Sequence, residues 1–152
     1  MVSQIKQKGF TIVELLIVIV VIAILAAISM AAYTSISARA KDSTAAASAK
    51  AVKDVIQTFQ GNHGVDPASV TELRNGIPSS GSNLQPAVAK LPADITVQTA
   101  VLTGTSSEKT VRIFQCTGGY EIKYYKYSAT AGEQTMQVGN PTSCPTTTSW
   151  AS

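Results

Sequence analysis

A long apolar run near the start of the chain limits what this sequence can fold into. Every residue in 15–28 is apolar, and within 10–32 only Thr11, Glu14 and Ser29 interrupt the run. As an α-helix this stretch is about 35 Å long, at roughly 1.5 Å per residue, which is enough to cross a bilayer. We therefore predict a membrane-spanning helix over residues 10–32, which excludes a simple cytosolic enzyme.

The flanking charges predict how this helix is oriented. Lys6 and Lys8 precede the run, and residues 1–9 contain no acid. Basic flanks stay on the cytoplasmic side, so residues 33–152 are expected outside the cytoplasm. The formal net charge of +3 over 152 residues is small and dispersed, so nucleic acid is not indicated as a partner.

The two cysteines, Cys116 and Cys144, both lie in this exported part, where disulfides form and persist. An even count favours one bridge between them, the alternative being two free buried thiols. In the chain-entropy description, a bridge over such a loop stabilises the fold by roughly 3 to 4 kcal/mol.

The acid inside the apolar run, Glu14, separates three interpretations of residues 1–32. A cleavable secretory signal accounts for the lysines, but its apolar region is usually shorter and holds no acid. A plain signal anchor fits the length but leaves unexplained a carboxylate that costs free energy in the membrane. The third interpretation rests on a resemblance to a known family.

The stretch KGFTIVELLIVIVVIAILAAI closely resembles the N-terminus of type IV pilins and the related pseudopilins. The shared features are a short basic leader ending in glycine, a phenylalanine as first mature residue, and a glutamate at the fifth mature position. The resemblance implies that a prepilin peptidase cuts between Gly9 and Phe10 and that the Phe10 amine is then N-methylated. Residues 1–9, with the leader charges Lys6 and Lys8, would be removed.

The same resemblance assigns a role to Glu14. An α-amino group is cationic at neutral pH, so cleavage creates a positive charge within one helical turn of this carboxylate. In a filament of this family, Glu14 of one subunit would meet the Phe10 amine of a neighbour as the apolar helices bundle. Because either charge is costly when unpaired in such a core, the pair would fix the axial register between subunits.

One departure from the family pattern concerns the continuity of the helix. Pilins often carry a glycine and a proline in the apolar helix, at the positions that match Ala23 and Ala31 here. Alanine is the best helix former, and residues 10–60 contain neither glycine nor proline. We therefore expect a more continuous helix than in the usual pilin.

Beyond the apolar run, residues 33–60 are predicted to continue the helix in amphipathic form. Gly61 is its expected C-terminal cap. His63 has no second ligand residue at metal-binding spacing, so a surface position is expected for it. Four apolar residues at helical spacing predict a stripe for a covering sheet: Val52, Val55, Ile56 and Phe59.

Residues 61–94 are expected to connect the helix to the sheet through one short helix and a proline-rich loop. Asp66 before Pro67 suits an N-cap followed by the first helical residue. The sequence SVTE, which begins at Ser69, offers an alternative capping box. Gly76 would end this helix.

From residue 95 onward the apolar pattern changes to period two and predicts a small antiparallel sheet of three or four strands. We interpret CTGG as a turn, so that Cys116 closes the second strand. A bridge to Cys144 would pin the following segment to the sheet, which resembles the C-terminal disulfide loop of type IV pilins. The expected strands lie near residues 95–101, 111–113 and 120–124, with a fourth near Met136.

The predicted fold is therefore α+β and pilin-like. A long N-terminal helix, transmembrane in its first half and amphipathic in its second, packs against a small antiparallel sheet within residues 95–152.

No pattern typical of catalysis occurs, so we predict no enzymatic activity, no cofactor and no metal site. The acids after residue 95 are Glu108, Glu121 and Glu133, which do not form the cluster with which major pseudopilins typically bind calcium.

The stretch YEIKYYKY suits either a binding face or, as we favour, a strand with one buried and one solvated face. Trp150 packs on the sheet or belongs to a mobile contact tail, and both remain open.

We predict a structural subunit of a type IV pilus-like extracellular filament that serves adhesion, twitching motility or DNA uptake. Its implied partners are further copies of the chain, minor pilins, the prepilin peptidase and the pilus assembly platform. Before assembly it would be a single-pass protein of the cytoplasmic membrane. Two alternatives stay open: a pseudopilin of a type II secretion system and a monomeric membrane-anchored surface binding protein.

Overall fold

The structure is a computed structural model that describes residues 9–78, 89–145 and 150. The chain divides into two compact units, Met1–Ser37 and Ala38–Ser152, which are described in turn. The elements in chain order are α1 (Ile12–His63), α2 (Val70–Asn75), β1 (Thr96–Val97), β2 (Thr110–Lys126) and β3 (Gly132–Ser143).

The first unit consists, in its described part, of the beginning of α1 and the residues before it. All side chains of residues 9–36 are exposed, so this unit builds no core of its own. The α-helix satisfies its own backbone hydrogen bonds, and the hydroxyls of Ser29 and Thr34 donate to the carbonyls of Leu25 and Ala31, at 2.8 and 3.0 Å. A helix of this kind is suited to lipid, where backbone groups find no water.

The second unit contains the hydrophobic core, and the later part of α1 supplies one side of it. The predicted stripe is confirmed, since all four of its residues are buried. They pack with residues of α2 and of the sheet in one cluster. The members of α1 in this cluster are Ala49, Val52, Val55, Ile56 and Phe59.

The end of α1 lies later than the sequence indicated. The helix continues through Gly61 to His63, and Gly64 takes the left-handed conformation with φ of 66°. The Gly64 N–H donates to the Gln60 carbonyl at 2.8 Å, which is the hydrogen bond of an αL cap. Gly64 therefore ends α1, and Gly61 is an ordinary helical residue.

The short helix α2 uses the second of the two predicted caps. The Ser69 hydroxyl accepts from the Glu72 N–H at 3.2 Å, whereas Asp66 accepts a hydrogen bond from the Gln60 side chain. Gly76 closes the helix, as predicted, with φ of 71° and its N–H donating to the Glu72 carbonyl at 2.7 Å.

The three strands form one sheet in the order β1-β2-β3. Strands β2 and β3 are antiparallel, but β1 pairs with β2 in parallel, with Thr96 opposite Thr110. The predicted α+β class with a long helix and a small sheet is confirmed, while the expectation of a wholly antiparallel sheet is wrong. Parallel neighbours need a crossover, which residues 98–109 provide.

This crossover lies on the face of the sheet that points away from the main core. The Leu102 N–H donates to Glu133 Oε1 at 2.8 Å, and Arg112 Nη1 donates to the same oxygen at 3.0 Å. Arg112 is only 5% exposed and alternates along β2 with core residues Val111 and Ile113. Around Arg112 and Phe114 both faces of β2 are therefore buried, which period-two patterning does not reveal.

The CTGG sequence lies within β2, opposite a β-bulge of β3, and is not a turn between two strands. Pairing shifts register between Thr117 and Gly119: one residue, Gly118, lies between these two pairs on β2, but three lie between them on β3, so the extra residues are on β3. Before the bulge, odd-numbered residues such as Ile113 face the core, and after it even-numbered residues such as Tyr120 and Ile122 do. The sequence therefore shows two separate alternating patterns, although the chain forms one strand.

Candidate functional site

The first turn of α1 holds the acid that interrupts the apolar run. The Thr11 N–H and hydroxyl both donate to Glu14 Oε2, at 2.8 and 2.7 Å, and the Glu14 N–H donates back to the Thr11 hydroxyl at 3.3 Å. This reciprocal pattern is a capping box, which satisfies backbone donors that a helix start leaves free. This cap was not among the predictions from the sequence, although TIVE has the required spacing.

The residues just before this cap are open to the surroundings. Phe10 is 83% exposed, and a Cβ atom added to Gly9 would meet nothing within 4 Å. Neither residue belongs to the helix. Gly9 and Phe10, which flank the predicted cleavage site, are therefore both exposed. Lys6 and Lys8, the leader charges, lie outside the described residues.

The surface that follows the cap is apolar on every side. One helix of the described part, α1, is long and apolar enough to cross a membrane, and none of its most apolar window is buried. Ala23 and Ala31 lie within this helix, which has no break between Ile12 and His63. The expected continuity of secondary structure is thus present. Glu14 is the one charged side chain among residues 10–36.

The two cysteines form a disulfide in the second unit. Cys116 and Cys144 are joined with a Cα to Cα distance of 4.3 Å and a sequence separation of 28. Cys116 lies within β2 just before the bulge, and Cys144 directly follows β3. The bond therefore closes the β2–β3 hairpin at its open end.

Comparison with known proteins agrees with this arrangement. Residues 5–30 match the model of a family described as the prokaryotic N-terminal methylation motif. The fimbrial protein of Neisseria meningitidis serogroup A is 34% identical over 132 residues, which cover 87% of this chain and 70% of that protein. The likeness therefore extends from the apolar helix into the second unit.

This chain belongs to the type IV pilin family.

Other relatives among the pilins point the same way. The fimbrial protein EcpC of Eikenella corrodens is 34% identical over 106 residues, 70% of this chain and 69% of the relative. The type IV major pilin protein PilE of Neisseria gonorrhoeae is 36% identical over 105 residues, 69% of this chain. That match spans 59% of the gonococcal protein, and a second gonococcal pilin is covered over 56%. No solved structure matches the chain.

His63 is buried in this pilin, so its expected surface position is wrong. Its exposure is 7%, its ring lies 4.7 Å from the ring of Phe59, and Nε2 is 3.0 Å from the Gly76 carbonyl oxygen. The side chain thus connects the end of α1 to the cap of α2. A lone histidine gave no signal of this kind, because its burial depends on a contact with a residue distant in sequence.

The tyrosine and lysine strand of the pilin has the buried face that the favoured interpretation predicts, but its other face is half-buried and not fully solvated. Tyr120 is fully buried, and its hydroxyl donates to the Pro67 carbonyl at 2.8 Å. Burial raises the pKa of the Tyr120 phenol, and nearby Asp66 and Glu72 add to the rise, so the hydroxyl remains a donor. On the opposite face the rings of Tyr125 and Tyr127 contact each other at 5.0 Å. The buried face of this strand is therefore part of the core.

Within residues 9–78, 89–145 and 150 no group of three metal-ligating side chains comes together. The capped acid and the exposed apolar helix around it are the features of this pilin that face outward.

Proposed function

We propose that this pilin is a structural subunit of an extracellular type IV pilus-like filament, built by copies of the chain that bundle their apolar helices. The observation that carries the proposal is the exposed apolar surface of α1 with a single acid in its first turn. An apolar surface of this extent is unstable in water and requires lipid or other helices around it. The relatives, which are named as type IV pilins and fimbrial proteins, support the second option.

Processing would prepare the subunit for assembly. A prepilin peptidase would hydrolyse the exposed peptide bond between Gly9 and Phe10, removing the leader with Lys6 and Lys8. The amine of Phe10 would then be N-methylated. The match of residues 5–30 to the N-terminal methylation motif supports both steps.

Glu14 would then pair with the Phe10 amine of a neighbouring subunit. The capping box supports this role because it fixes the carboxylate before any partner arrives. Both hydrogen bonds from Thr11 use Oε2, and within the described residues no hydrogen bond to Oε1 is formed. A preorganised acceptor loses less conformational entropy on pairing. An ion pair in a water-poor bundle would then select one axial register.

The remaining partners follow from this life cycle. Before assembly the chain would cross the cytoplasmic membrane once, with its second unit outside. An assembly platform would extract it, and minor pilins would join it in the filament. Adhesion, twitching motility or DNA uptake would be the task of the finished filament. No observation favours a secretion-system pseudopilin or a monomeric binding protein.

Mass spectrometry of filaments sheared from the cell surface tests this proposal. The expected polypeptide begins at an N-methylated Phe10 and has lost two hydrogens at Cys116 and Cys144. A filament protein that still begins at Met1, or that is cut near Ala31, would contradict it. Recovery of the chain only as membrane monomers would contradict filament assembly itself.

A further inference from the structure

Strand β3 forms one edge of the sheet, because the strand order is β1-β2-β3. On one side its residues pair with β2, from Gly132 to Ser143. On the other side, among residues 9–78, 89–145 and 150, no strand and no backbone hydrogen bond reaches it. Such an edge carries unpaired N–H and C=O groups, which another strand can bind.

The regular part of this edge has defined ends. Gly132 begins the strand, and Gly139 leaves the extended conformation with a φ of 72°. The β-bulge of β3 follows, and Pro141 within it has no N–H to donate. Residues 133–138 are therefore the stretch on which a second strand can pair without interruption, and we call them the β3 edge. This length is typical of a strand in a globular protein.

The β3 edge presents no free charge. Natural proteins often keep other chains away from an exposed edge by placing charged side chains on it. Glu133 is the single charged residue of β3, and its carboxylate accepts from Arg112 Nη1 at 3.0 Å and from the Leu102 N–H at 2.8 Å. The exposed side chains that follow, Thr135 and Gln137 among them, are neutral. Like charges that would keep two copies of this edge apart are therefore missing.

A second copy of β3 fits this edge. Antiparallel pairing centred on Met136 places residue 135 of one copy opposite residue 137 of the other, so that neutral polar side chains meet. One pair of short strands is only marginally stable in water. A filament repeats the edge on every subunit, and linked weak contacts act together. Filaments are therefore better partners for each other than free chains are.

We propose that the β3 edge pairs antiparallel with the β3 edge of a second copy in a neighbouring filament, and that this contact bundles filaments side by side. The inference rests on the proposed function, since it requires filaments. An antiparallel pair of one strand with itself has two-fold symmetry. Subunits of one filament follow one another in the same orientation and do not have this symmetry, so the pair joins two filaments.

Two substitutions on the edge test the pairing while they keep the fold. Gln137→Lys places a cation opposite Glu121 of β2, and Thr135→Glu places an acid opposite Lys123. Each variant also puts one kind of charge on every edge of its filament. At low ionic strength, the fraction of purified filaments that sediments at low speed as bundles should fall at least about tenfold in either variant, because repulsion is repeated at each contact.

A mixture of the two variants gives the decisive result. In the antiparallel pair the lysine at position 137 of one filament lies opposite the glutamate at position 135 of the other. Mixed filaments should therefore bundle again, although neither variant does so alone. Thr99→Lys is the matched control, because it adds the same charge at an exposed position outside β3 and should bundle like the wild type.

The possible outcomes separate this inference from the proposed function. The yield of sheared filaments is measured first, because a chain that forms no filaments contradicts both proposals. Wild-type filaments that stay single contradict the edge pairing alone. Equal loss of bundles in Thr99→Lys, or no recovery in the mixture, would also overturn it. If single filaments instead carry another protein that Gln137→Lys removes, the edge binds that protein and not a second copy.

Discussion

The two units of this pilin differ in what buries their apolar side chains. In the second unit the apolar side chains of α1, α2 and the sheet bury one another, and a disulfide closes the hairpin. In the first unit the same helix exposes nearly every apolar side chain that it has. The second unit thus buries its apolar surface by its own folding. The first unit needs lipid or other helices around its apolar surface, which a single chain does not supply. Mutations in the two units should therefore affect different measurements.

The largest expected effect concerns the first unit, at Glu14. Glu14→Ala should reduce the yield of sheared filaments at least tenfold while thermal unfolding of the second unit stays the same, because the acid contacts only Thr11 within the described residues. A lost charge pair in a water-poor bundle costs several kcal/mol, which is more than a tenfold change in assembly. Filament yield by shearing and membrane insertion by alkaline extraction are the two measurements.

Glu14→Gln is the matched control for this experiment. Its amide oxygen can still accept the hydrogen bonds of Thr11, but it carries no charge. If the charge pair sets the register, both variants lose filaments. If Glu14→Gln assembles normally while Glu14→Ala does not, the acid acts only as a helix cap, and the proposed pairing with the Phe10 amine is wrong.

The largest expected effect in the second unit is at the bulge. A Cβ atom at Gly119 would overlap the Val138 carbonyl oxygen, which is part of the backbone and cannot turn aside. Gly119→Ala should lower the free energy of unfolding by roughly 3 kcal/mol, by separating the strands. Gly104→Ala is the control, because its Cβ would meet Tyr125 Oη at an ordinary 3.6 Å and should change stability by less than about 0.5 kcal/mol. Equal effects in both variants would contradict the backbone clash.

This bulge also shows how far the sequence predicts the fold. Local periodicity was sufficient for α1 and its buried stripe, because contacts at helical spacing recur within a few residues. It failed at CTGG and at the parallel β1, because strand pairing depends on residues far apart in sequence. The surface position predicted for His63 is wrong for the same reason. The capping box at Glu14, by contrast, is local, and the spacing of Thr11 and Glu14 is sufficient to predict it. The role of this acid in assembly remains a prediction.

A smaller, pH-dependent effect is expected at Asp42 in the second unit. Its carboxylate accepts the N–H groups of Tyr127 and Ser128 at 2.5 and 3.3 Å, which ties α1 to the turn after β2. Partial burial raises the pKa of Asp42, but the hydrogen bonds from Ser128 and Tyr127 outweigh it, so the pKa lies below its ordinary value. A lowered pKa means that this contribution is present above about pH 4 and is lost as the pH falls through the folded-state pKa.

Asp42→Asn should therefore lower the free energy of unfolding of the second unit by about 1 kcal/mol at neutral pH, after allowance for solvent screening. At pH 2 the substitution should leave this free energy unchanged. Thermal unfolding of the second unit as a function of pH measures the difference. Asp54→Asn replaces an exposed acid on the same helix and should leave the pH profile as it is. A loss at Asp42 that persists unchanged at pH 2 would show that its charge is not involved.

The smallest expected effect is a gain in stability at Gly61, which tests where α1 ends. Gly61 lies inside the helix with open space around its Cα, so Gly61→Ala should stabilise the second unit by roughly 0.5 to 1 kcal/mol through helix propensity. Gly64 has equally open space but a φ of 66°, so Gly64→Ala should destabilise by about 1 kcal/mol. Opposite signs in thermal unfolding support a helix that ends at His63. Stabilisation by both substitutions would place the cap elsewhere, and with it the contact of His63 to Gly76.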